Sequence, residues 1–195
     1  MLHRFYPIVP DAVWAARIVP LGVKTLQLRV KDADATIISR EISSTLGICA
    51  RHGCQLIIND YWRKAIELGV DFVHLGQEDL SEADLGAIRK AGIKLGISTH
   101  TPEELRIALD ARPDYVALGP IYETKLKAMK YPPQGLARIG EWKRLIDCPL
   151  VAIGGITVER APAVFAAGAD SIAVVTDVVA SPDPENRVQE WLSVC

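Results

Sequence analysis

Short apolar segments alternate along this chain with longer segments whose apolar residues recur at helical spacing, and this alternation constrains the fold most. Nearly continuous apolar strands joined by helical crossovers indicate a parallel sheet covered by helices. Eight such units predict closure into a compact, single-domain α/β fold, a (β/α)8 TIM barrel over residues 1–195. The eight predicted strands are Phe5–Val9, Thr25–Val30, Gln55–Asn59, Phe72–Leu75, Lys94–Ser98, Tyr115–Leu118, Leu150–Ile153 and Ser171–Val175.

Capping residues support the helices between these strands. Ser81 and Thr101 are the expected N-caps of helices over Glu82–Ala91 and Pro102–Ala111. Glycines stand where helices should end before a following strand, which suits the left-handed C-cap conformation; they are Gly22, Gly53, Gly69, Gly92 and Gly168. A doubly wound open sheet is the competing fold, but no glycine-rich dinucleotide turn follows the first strand.

Composition narrows the classes of partner. A net charge of -2, with no cluster of Lys or Arg interleaved with aromatic residues, argues against nucleic-acid binding. No apolar run approaches the roughly 20 residues that cross a membrane, and no signal segment opens the sequence, so we expect a cytoplasmic protein without membrane contact. The four cysteines lack the paired spacings of zinc or redox motifs and are interpreted as packing thiols.

The second predicted strand carries polar residues at alternating positions. Alternation sends Gln27, Arg29 and Lys31 to one face of the strand. Two cations on one face need an anionic partner, and a phosphorylated ligand is an obvious one. An edge strand with its polar face in water would give the same pattern.

A barrel enzyme carries its chemistry at the carboxyl ends of its strands, and those positions are unusually polar here. Asn59 ends strand three and Asp60 follows it, Asp79 follows strand four, and Ser98 ends strand five. The long connection 119–135 has the length of a mobile lid. Gly154-Gly155 and Val175-Thr176 stand at the ends of the last two strands, each before a predicted helix, and these two loops are a recurrent phosphate site of this fold.

Taken together and in their order along the sequence, the motifs of this chain resemble those of the thiamine phosphate synthase family over about residues 6–179. They are Gln27-Leu28-Arg29-Val30-Lys31, Ile58-Asn59-Asp60, His74-Leu75-Gly76-Gln77-Glu78-Asp79-Leu80, Gly96-Ile97-Ser98, Gly119-Pro120-Ile121-Tyr122 with Thr124 and Lys127, Ala152-Ile153-Gly154-Gly155-Ile156, and Ala173-Val174-Val175-Thr176. The Gly-Gly-Ile motif is common among phosphate-binding barrels. The acidic pair after strands three and four is the most specific part.

The resemblance implies a transferase that joins a pyrimidine pyrophosphate to a thiazole phosphate and releases pyrophosphate, assisted by Mg²⁺. It implies that Asp60 and Asp79 bind the metal ion. Arg29, Lys31, Asn59 and Lys127 would contact the pyrophosphate, and Gln27 and Ser98 the pyrimidine. Thr124, Gly155, Val175 and Thr176 would hold the thiazole phosphate, with Lys125 and Leu126 beside them in the lid. Arg29, Lys31, Ser98 and Lys127 are the expected catalytic residues, and a homodimer is retained as a candidate assembly.

Several of these residues have a simpler interpretation. Asp60 could cap a helix beginning at Tyr61, and Asp79 could start the turn before Ser81. His74 ends a buried strand and is expected to be a hydrogen-bonded structural residue, since Mg²⁺ prefers oxygen ligands. His100 receives no assignment.

Two positions depart from the family pattern. Leu126 stands where family members place a second Thr directly before the lysine, so a hydroxyl donor is lost and Lys125 is the candidate replacement. Asp177 occupies a position that is usually small and uncharged. It would repel phosphate if it faced the ligand, or act as a harmless helix N-terminal acid if it pointed outward.

Three other functions stay open at this point. A thiazole tautomerase shares the fold and many motifs, but it relies on a histidine that would fall near Pro120. Another phosphate-binding barrel enzyme would explain the last two loops without the cations and carboxylates together. A catalytically impaired, ligand-binding or regulatory relative would fit the loss at Leu126.

Overall fold

Eight parallel strands close a barrel in which each strand pairs with the next in sequence and β8 pairs with β1. This is a computed structural model, which describes residues 2–124 and 131–195. The predicted α/β barrel is therefore confirmed. The strands are β1 Phe5–Val9, β2 Thr25–Leu28, β3 Gln55–Asn59, β4 Phe72–Leu75, β5 Lys94–Thr99, β6 Tyr115–Leu118, β7 Leu150–Ile153 and β8 Ser171–Val174.

Three strand ends differ from the prediction by one or two residues. β2 ends at Leu28 rather than Val30, although the backbone N–H of Arg29 still donates to the Val9 carbonyl, 2.9 Å away. β8 ends at Val174, and β5 continues to Thr99 because residues Gly96 to Thr99 pair in register with β6. Strand ends depend on the neighbouring strand, which the local sequence does not reveal.

Helices surround the barrel on its outer side. They are α1 Ala12–Ile18, α2 Ala35–His52, α3 Trp62–Leu68, α4 Gln77–Glu82, α5 Leu85–Lys90, α6 Pro102–Asp110, α7 Gly135–Lys143, α8 Ala161–Ala166, α9 Thr176–Val179 and α10 Pro184–Val194, with single 3-10 turns at Val19–Leu21 and Val158–Arg160. None of the helices described is both long and apolar enough to cross a membrane.

The prediction of a helix over Glu82–Ala91 is wrong at its N-terminal end. The chain forms two short helices there, and Asp84 caps the second by accepting a hydrogen bond from the N–H of Ala87 at 2.9 Å. The Ser81 hydroxyl instead donates to the Glu78 carbonyl inside α4. The Thr101 cap of α6 is confirmed, since its hydroxyl accepts from the N–H of Glu104. The glycines expected at helix ends all have positive φ.

The core has two layers. One lies between the strands and the helices, and the other fills the interior of the barrel with Tyr6, Ile8, Ile57, Phe72, Tyr115, Ala117, Val151 and Ala173. Polar side chains sit above the apolar interior, among them Gln27, Asn59 and His74, all buried. Burying hydrogen-bonding groups without partners is costly, so their arrangement indicates where the site lies.

Candidate functional site

A cavity of about 820 Å³ opens at the carboxyl ends of the strands. Its lining includes Gln27 from β2, Arg29 just after β2, Asn59 from β3 and Ser98 from β5. On the other side it is lined by the loops after β7 and β8, including Gly155, Val175 and Thr176. The structure thus brings most of the predicted substrate-binding residues to one cavity.

A chain of hydrogen bonds crosses the floor of this cavity. The Gln27 side-chain amide donates to the Tyr6 hydroxyl at 2.5 Å, and the Tyr6 and Tyr115 hydroxyls are 2.8 Å apart. The Tyr115 hydroxyl lies 2.7 Å from His74 Nδ1, and His74 Nε2 lies 2.8 Å from Ser98 Oγ. His74 is therefore hydrogen-bonded within the structure, as expected, and it connects Tyr115 to Ser98.

Burial keeps the three titratable groups among these side chains, His74, Tyr6 and Tyr115, uncharged. It lowers the pKa of His74 to about 4, with Arg29 adding to the effect and Asp60 opposing it. Desolvation raises the pKa of Tyr6 and of Tyr115 far above the ordinary value for tyrosine. At neutral pH the imidazole is neutral and both phenols are protonated, so every group can donate at one side and accept at the other.

A charged cluster stands at the ends of β2, β3 and β4. Lys31 Nζ donates to Asp60 Oδ2 at 2.9 Å, and Asp60 has a left-handed backbone with φ of 65°. The Asp60 N–H donates to the His74 carbonyl at 2.9 Å, which anchors the loop to β4. Helix α3 is capped at Tyr61 with no side-chain bond, so Asp60 does not act as its N-cap.

Asp79 faces Asp60 across this cluster. It lies inside α4 rather than in a turn, and its pKa is raised by burial and by the Asp60 carboxylate. Two neighbouring carboxylates repel each other, and a divalent cation relieves that repulsion. Carboxylate oxygens are the protein ligands that Mg²⁺ takes together with substrate phosphates, so the pair fits the predicted metal ion. Within the described residues no group of three or more His, Cys, Asp or Glu converges as a metal site.

The loop after β7 brings the backbone close to the cavity. Gly154 and Gly155 have φ of 96° and 65°, and a Cβ on Gly155 would overlap the Glu123 carbonyl and Tyr122. Only glycine fits this approach. The side chain of Arg160 lies over this loop: Nη1 donates to the Gly155 carbonyl at 2.5 Å, and the guanidinium lies 4.4 Å from the centre of the Tyr122 ring.

Asp177 points to the neighbouring helix. Its carboxylate accepts from the Val158 N–H at 3.2 Å, from Arg187 at 3.0 Å and from Trp191 Nε1 at 2.8 Å. Arg187 neutralises its charge. The structure therefore favours the second interpretation of this residue, a first-turn acid of α9 that ties α9 to α10.

The predicted lid is described only at its two ends. Thr124 lines the cavity, whereas Lys125, Leu126 and Lys127 lie outside the described residues. Where the described chain resumes, the Tyr131 ring stacks on His100 with 4.6 Å between ring centres, and its hydroxyl donates to Glu104 at 2.7 Å. His100 Nδ1 is 2.7 Å from the same carboxylate. His100 thus belongs to a contact that holds the end of the connection.

Among the residues that line the cavity without having been predicted, Arg160, Tyr6 and Tyr115 carry polar groups that take part in its hydrogen bonds. Arg160 ends the 3-10 turn Val158–Arg160 and belongs to no motif, so only the fold brings it to the Gly155 loop. Tyr6 and Tyr115 look like ordinary apolar strand residues, although inward-facing tyrosines at equivalent heights of two strands would have been a usable signal.

The fold and the cavity together define a barrel protein with an open site, lined by both polar and apolar side chains, at the carboxyl ends of its strands, where barrel enzymes hold their substrates. A sequence model described as thiamine monophosphate synthase matches residues 7–178. The chain is 59% identical to the thiamine-phosphate synthase of Rhizobium etli over 98% of this chain and 95% of that protein. It is 47% identical to the thiamine-phosphate synthase of Cronobacter sakazakii, over 98% of this chain and 93% of that protein.

A solved structure has the same fold as this chain. The thiamine phosphate pyrophosphorylase from Pyrococcus furiosus superposes with a TM-score of 0.87 at 22% identity, covering 98% of this chain and 94% of that one. The chain belongs to the thiamine monophosphate synthase family.

Proposed function

We propose that this chain is a transferase that joins 4-amino-2-methyl-5-hydroxymethylpyrimidine pyrophosphate to 4-methyl-5-hydroxyethylthiazole phosphate and releases pyrophosphate. One observation carries the proposal: Lys31, Asp60 and Asp79 gather at the ends of three neighbouring strands beside a cavity whose far side is the Gly155 loop. This arrangement suits a metal-bound pyrophosphate on one side and a phosphate monoester on the other.

The reaction needs no protein nucleophile. The carbon–oxygen bond of the pyrimidine pyrophosphate breaks with its electron pair on the departing pyrophosphate, which leaves a stabilised pyrimidine carbocation. The thiazole nitrogen then supplies the electron pair of the new carbon–nitrogen bond. The protein neutralises the leaving group, holds the heterocycles in line and excludes water.

Asp60 and Asp79 would hold Mg²⁺, which when bound neutralises charge on the pyrophosphate. Arg29, Lys31, Asn59 and Lys127 contact the pyrophosphate in this proposal. Gln27 and Ser98 contact the pyrimidine. The thiazole phosphate is held by Thr124, Gly155, Val175 and Thr176, mostly through backbone N–H and hydroxyl groups, with Lys125 and Leu126 in the adjoining lid. The cytoplasmic location and the homodimer stay predictions.

The test is incubation of the whole purified chain with both substrates, with and without Mg²⁺, and chromatography of the products. Thiamine phosphate formed only with Mg²⁺ supports the synthase. Binding of both compounds without product would identify a ligand-binding relative. Isomerisation of a thiazole phosphate without condensation would identify a tautomerase, a function that Pro120 argues against because it occupies the expected histidine position.

A further inference from the structure

Five polar side chains from five different strands form one continuous hydrogen-bonded chain beneath the cavity. Its members, in order, are Gln27, Tyr6, Tyr115, His74 and Ser98. Gln27, Tyr6, Tyr115 and His74 are at most 7% exposed, and all five line the same cavity. A fully connected buried network of this kind fixes the positions of its protons more firmly than separate pairs do.

The amide nitrogen of Gln27 gives the chain a direction. An amide nitrogen donates and does not accept, so the Tyr6 oxygen accepts from Gln27. The Tyr6–Tyr115 pair permits either direction, and we assign the Tyr6 proton to the Tyr115 oxygen, 2.8 Å away. The Tyr115 proton then goes to His74 Nδ1. A neutral imidazole that accepts at Nδ1 carries its proton on Nε2, so it donates to Ser98 Oγ.

The two ends are therefore left with opposite roles. With its nitrogen engaged by Tyr6, Gln27 has its amide oxygen available as an acceptor. With its oxygen accepting from His74, Ser98 has its own proton available as a donor. A heterocycle that carries an amino group beside ring nitrogens offers the matching pattern, a donor and an acceptor.

We propose that Tyr6, Tyr115 and His74 are positioning residues that hold Gln27 as an acceptor and Ser98 as a donor, and so select a 4-aminopyrimidine over its 4-oxo counterpart. This inference rests on the proposed function for the identity of the substrate. It deepens that function because it assigns the choice of heterocycle to residues behind those that touch it. An oxo-pyrimidine presents the reverse pattern and would leave buried polar groups unpaired.

Contacts within the barrel hold the five hydrogen-bonded side chains in place. A Cβ on Gly96 would overlap the ring and hydroxyl of Tyr115, so the glycine of β5 provides the space in which that ring lies. The ring is also fixed by stacking on His74, with 5.5 Å between centres and 17° between planes, and by an edge contact with Tyr6. The Ser98 carbonyl accepts from Gln77 at 2.7 Å, which fixes the far end.

The first test determines directly in which direction the hydrogen bonds from Gln27 to Ser98 donate, and it needs no substrate. Nitrogen-15 NMR of the histidine-labelled, ligand-free chain reports which ring nitrogen of His74 carries the proton, and His74→Asn identifies its signals. We expect a neutral ring protonated on Nε2. A neutral ring protonated on Nδ1 would overturn the proposal, because the hydrogen bonds from Gln27 to Ser98 would then run in the opposite direction.

The second test measures discrimination. For wild type and Tyr115→Phe, kcat/KM is measured with the 4-amino substrate and its 4-oxo analogue. We expect the preference for the amino compound to fall about tenfold or more in the variant, the scale of one lost hydrogen bond, while the Kd of thiazole phosphate changes less than about twofold. Tyr6→Phe should act in the same direction and serves if Tyr115→Phe does not fold.

Thr99→Val is the matched control. Thr99 lies next to Ser98. Its buried hydroxyl accepts from Trp142 Nε1 and donates to the Ala117 carbonyl, so it takes no part in the hydrogen bonds that run from Gln27 to Ser98. It should lose stability but keep the wild-type preference. A preference that is unchanged in both tyrosine variants would overturn the proposal. Absence of thiamine phosphate formation by wild type would overturn the proposed function instead, and the NMR result would still decide the polarity.

Discussion

At the scale of single residues, Asp60 and Asp79 place two carboxylates next to each other beyond the ends of β3 and β4. Asp60 pairs with Lys31, while Asp79 is partly buried and faces Asp60. Like charges placed together at a cavity are typical of functional sites, since such an arrangement lowers stability unless a ligand compensates.

Replacing either carboxylate by an amide should weaken metal binding without disturbing the fold. We expect Asp60→Asn and Asp79→Asn to raise the Mg²⁺ concentration for half-maximal activity about tenfold or more. Asp79→Asn should also raise Tm in metal-free buffer, because one of two repelling charges is removed. Asp84→Asn, which keeps a capping side chain, is the control. Wild-type Mg²⁺ dependence in both variants would show that the metal binds elsewhere.

Lys31 should act on one substrate only. Lys31→Ala removes a cation beside the carboxylate pair, so the Kd of the pyrimidine pyrophosphate should rise about tenfold or more, as for loss of a charge-assisted hydrogen bond. The Kd of thiazole phosphate should change little. Lys143→Ala, which removes an exposed cation paired with Asp170, is the control. Equal weakening of both ligands in calorimetry would indicate damage to the fold.

His74 should make stability depend on pH. Its folded-state pKa of about 4 lies below the unfolded value near 6.5, so the unfolded chain binds more protons between these values. The contribution is present above about pH 6.5 and is lost as pH falls toward 4. It amounts to at most about 3 kcal/mol, at 1.36 kcal/mol per pKa unit. Urea unfolding at pH 7 and pH 4.5 should show a smaller loss for His74→Asn than for wild type; equal losses would contradict this.

At the scale of elements, glycines have opposite roles in β5 and α2. Gly96→Ala would push a methyl group into Tyr115 and should destabilise the fold by about 1–3 kcal/mol. Gly47 lies inside α2, and a Cβ added there would lie 3.6 Å from the nearest atom, in the Arg51 side chain, so Gly47→Ala should stabilise by about 0.5–1 kcal/mol. Thermal unfolding of the two variants checks both signs. A stabilised Gly96→Ala would mean that Tyr115 has room to move.

The elements themselves show what local sequence can and cannot predict. Apolar runs located all eight strands, since burial on both faces demands them. The break between α4 and α5 was missed because two caps compete within a few residues, and Asp84 forms the capping bond while Ser81 bonds inside the first helix. Such competition is decided by how the helices pack.

At the scale of the whole molecule, the barrel explains why so much of the site followed from sequence. Parallel strands end at one rim, so residues far apart in the chain are brought to one cavity by topology alone. The chain from Gln27 to Ser98 did not follow, because it depends on the inward direction and height of Tyr6 and Tyr115, which strand register sets. Arg160 was missed for the same kind of reason, since its hydrogen bond to the Gly155 carbonyl depends on how the loop folds.

The most direct measurement is product stoichiometry in a single turnover, with the whole chain in excess over labelled pyrimidine pyrophosphate and with thiazole phosphate and Mg²⁺ present. One thiamine phosphate and one pyrophosphate should appear for each pyrimidine consumed, at equal rates. Pyrophosphate release without thiamine phosphate would show that the cavity admits water instead of thiazole. Binding of both substrates with no product at all would contradict the catalytic role assigned to this site.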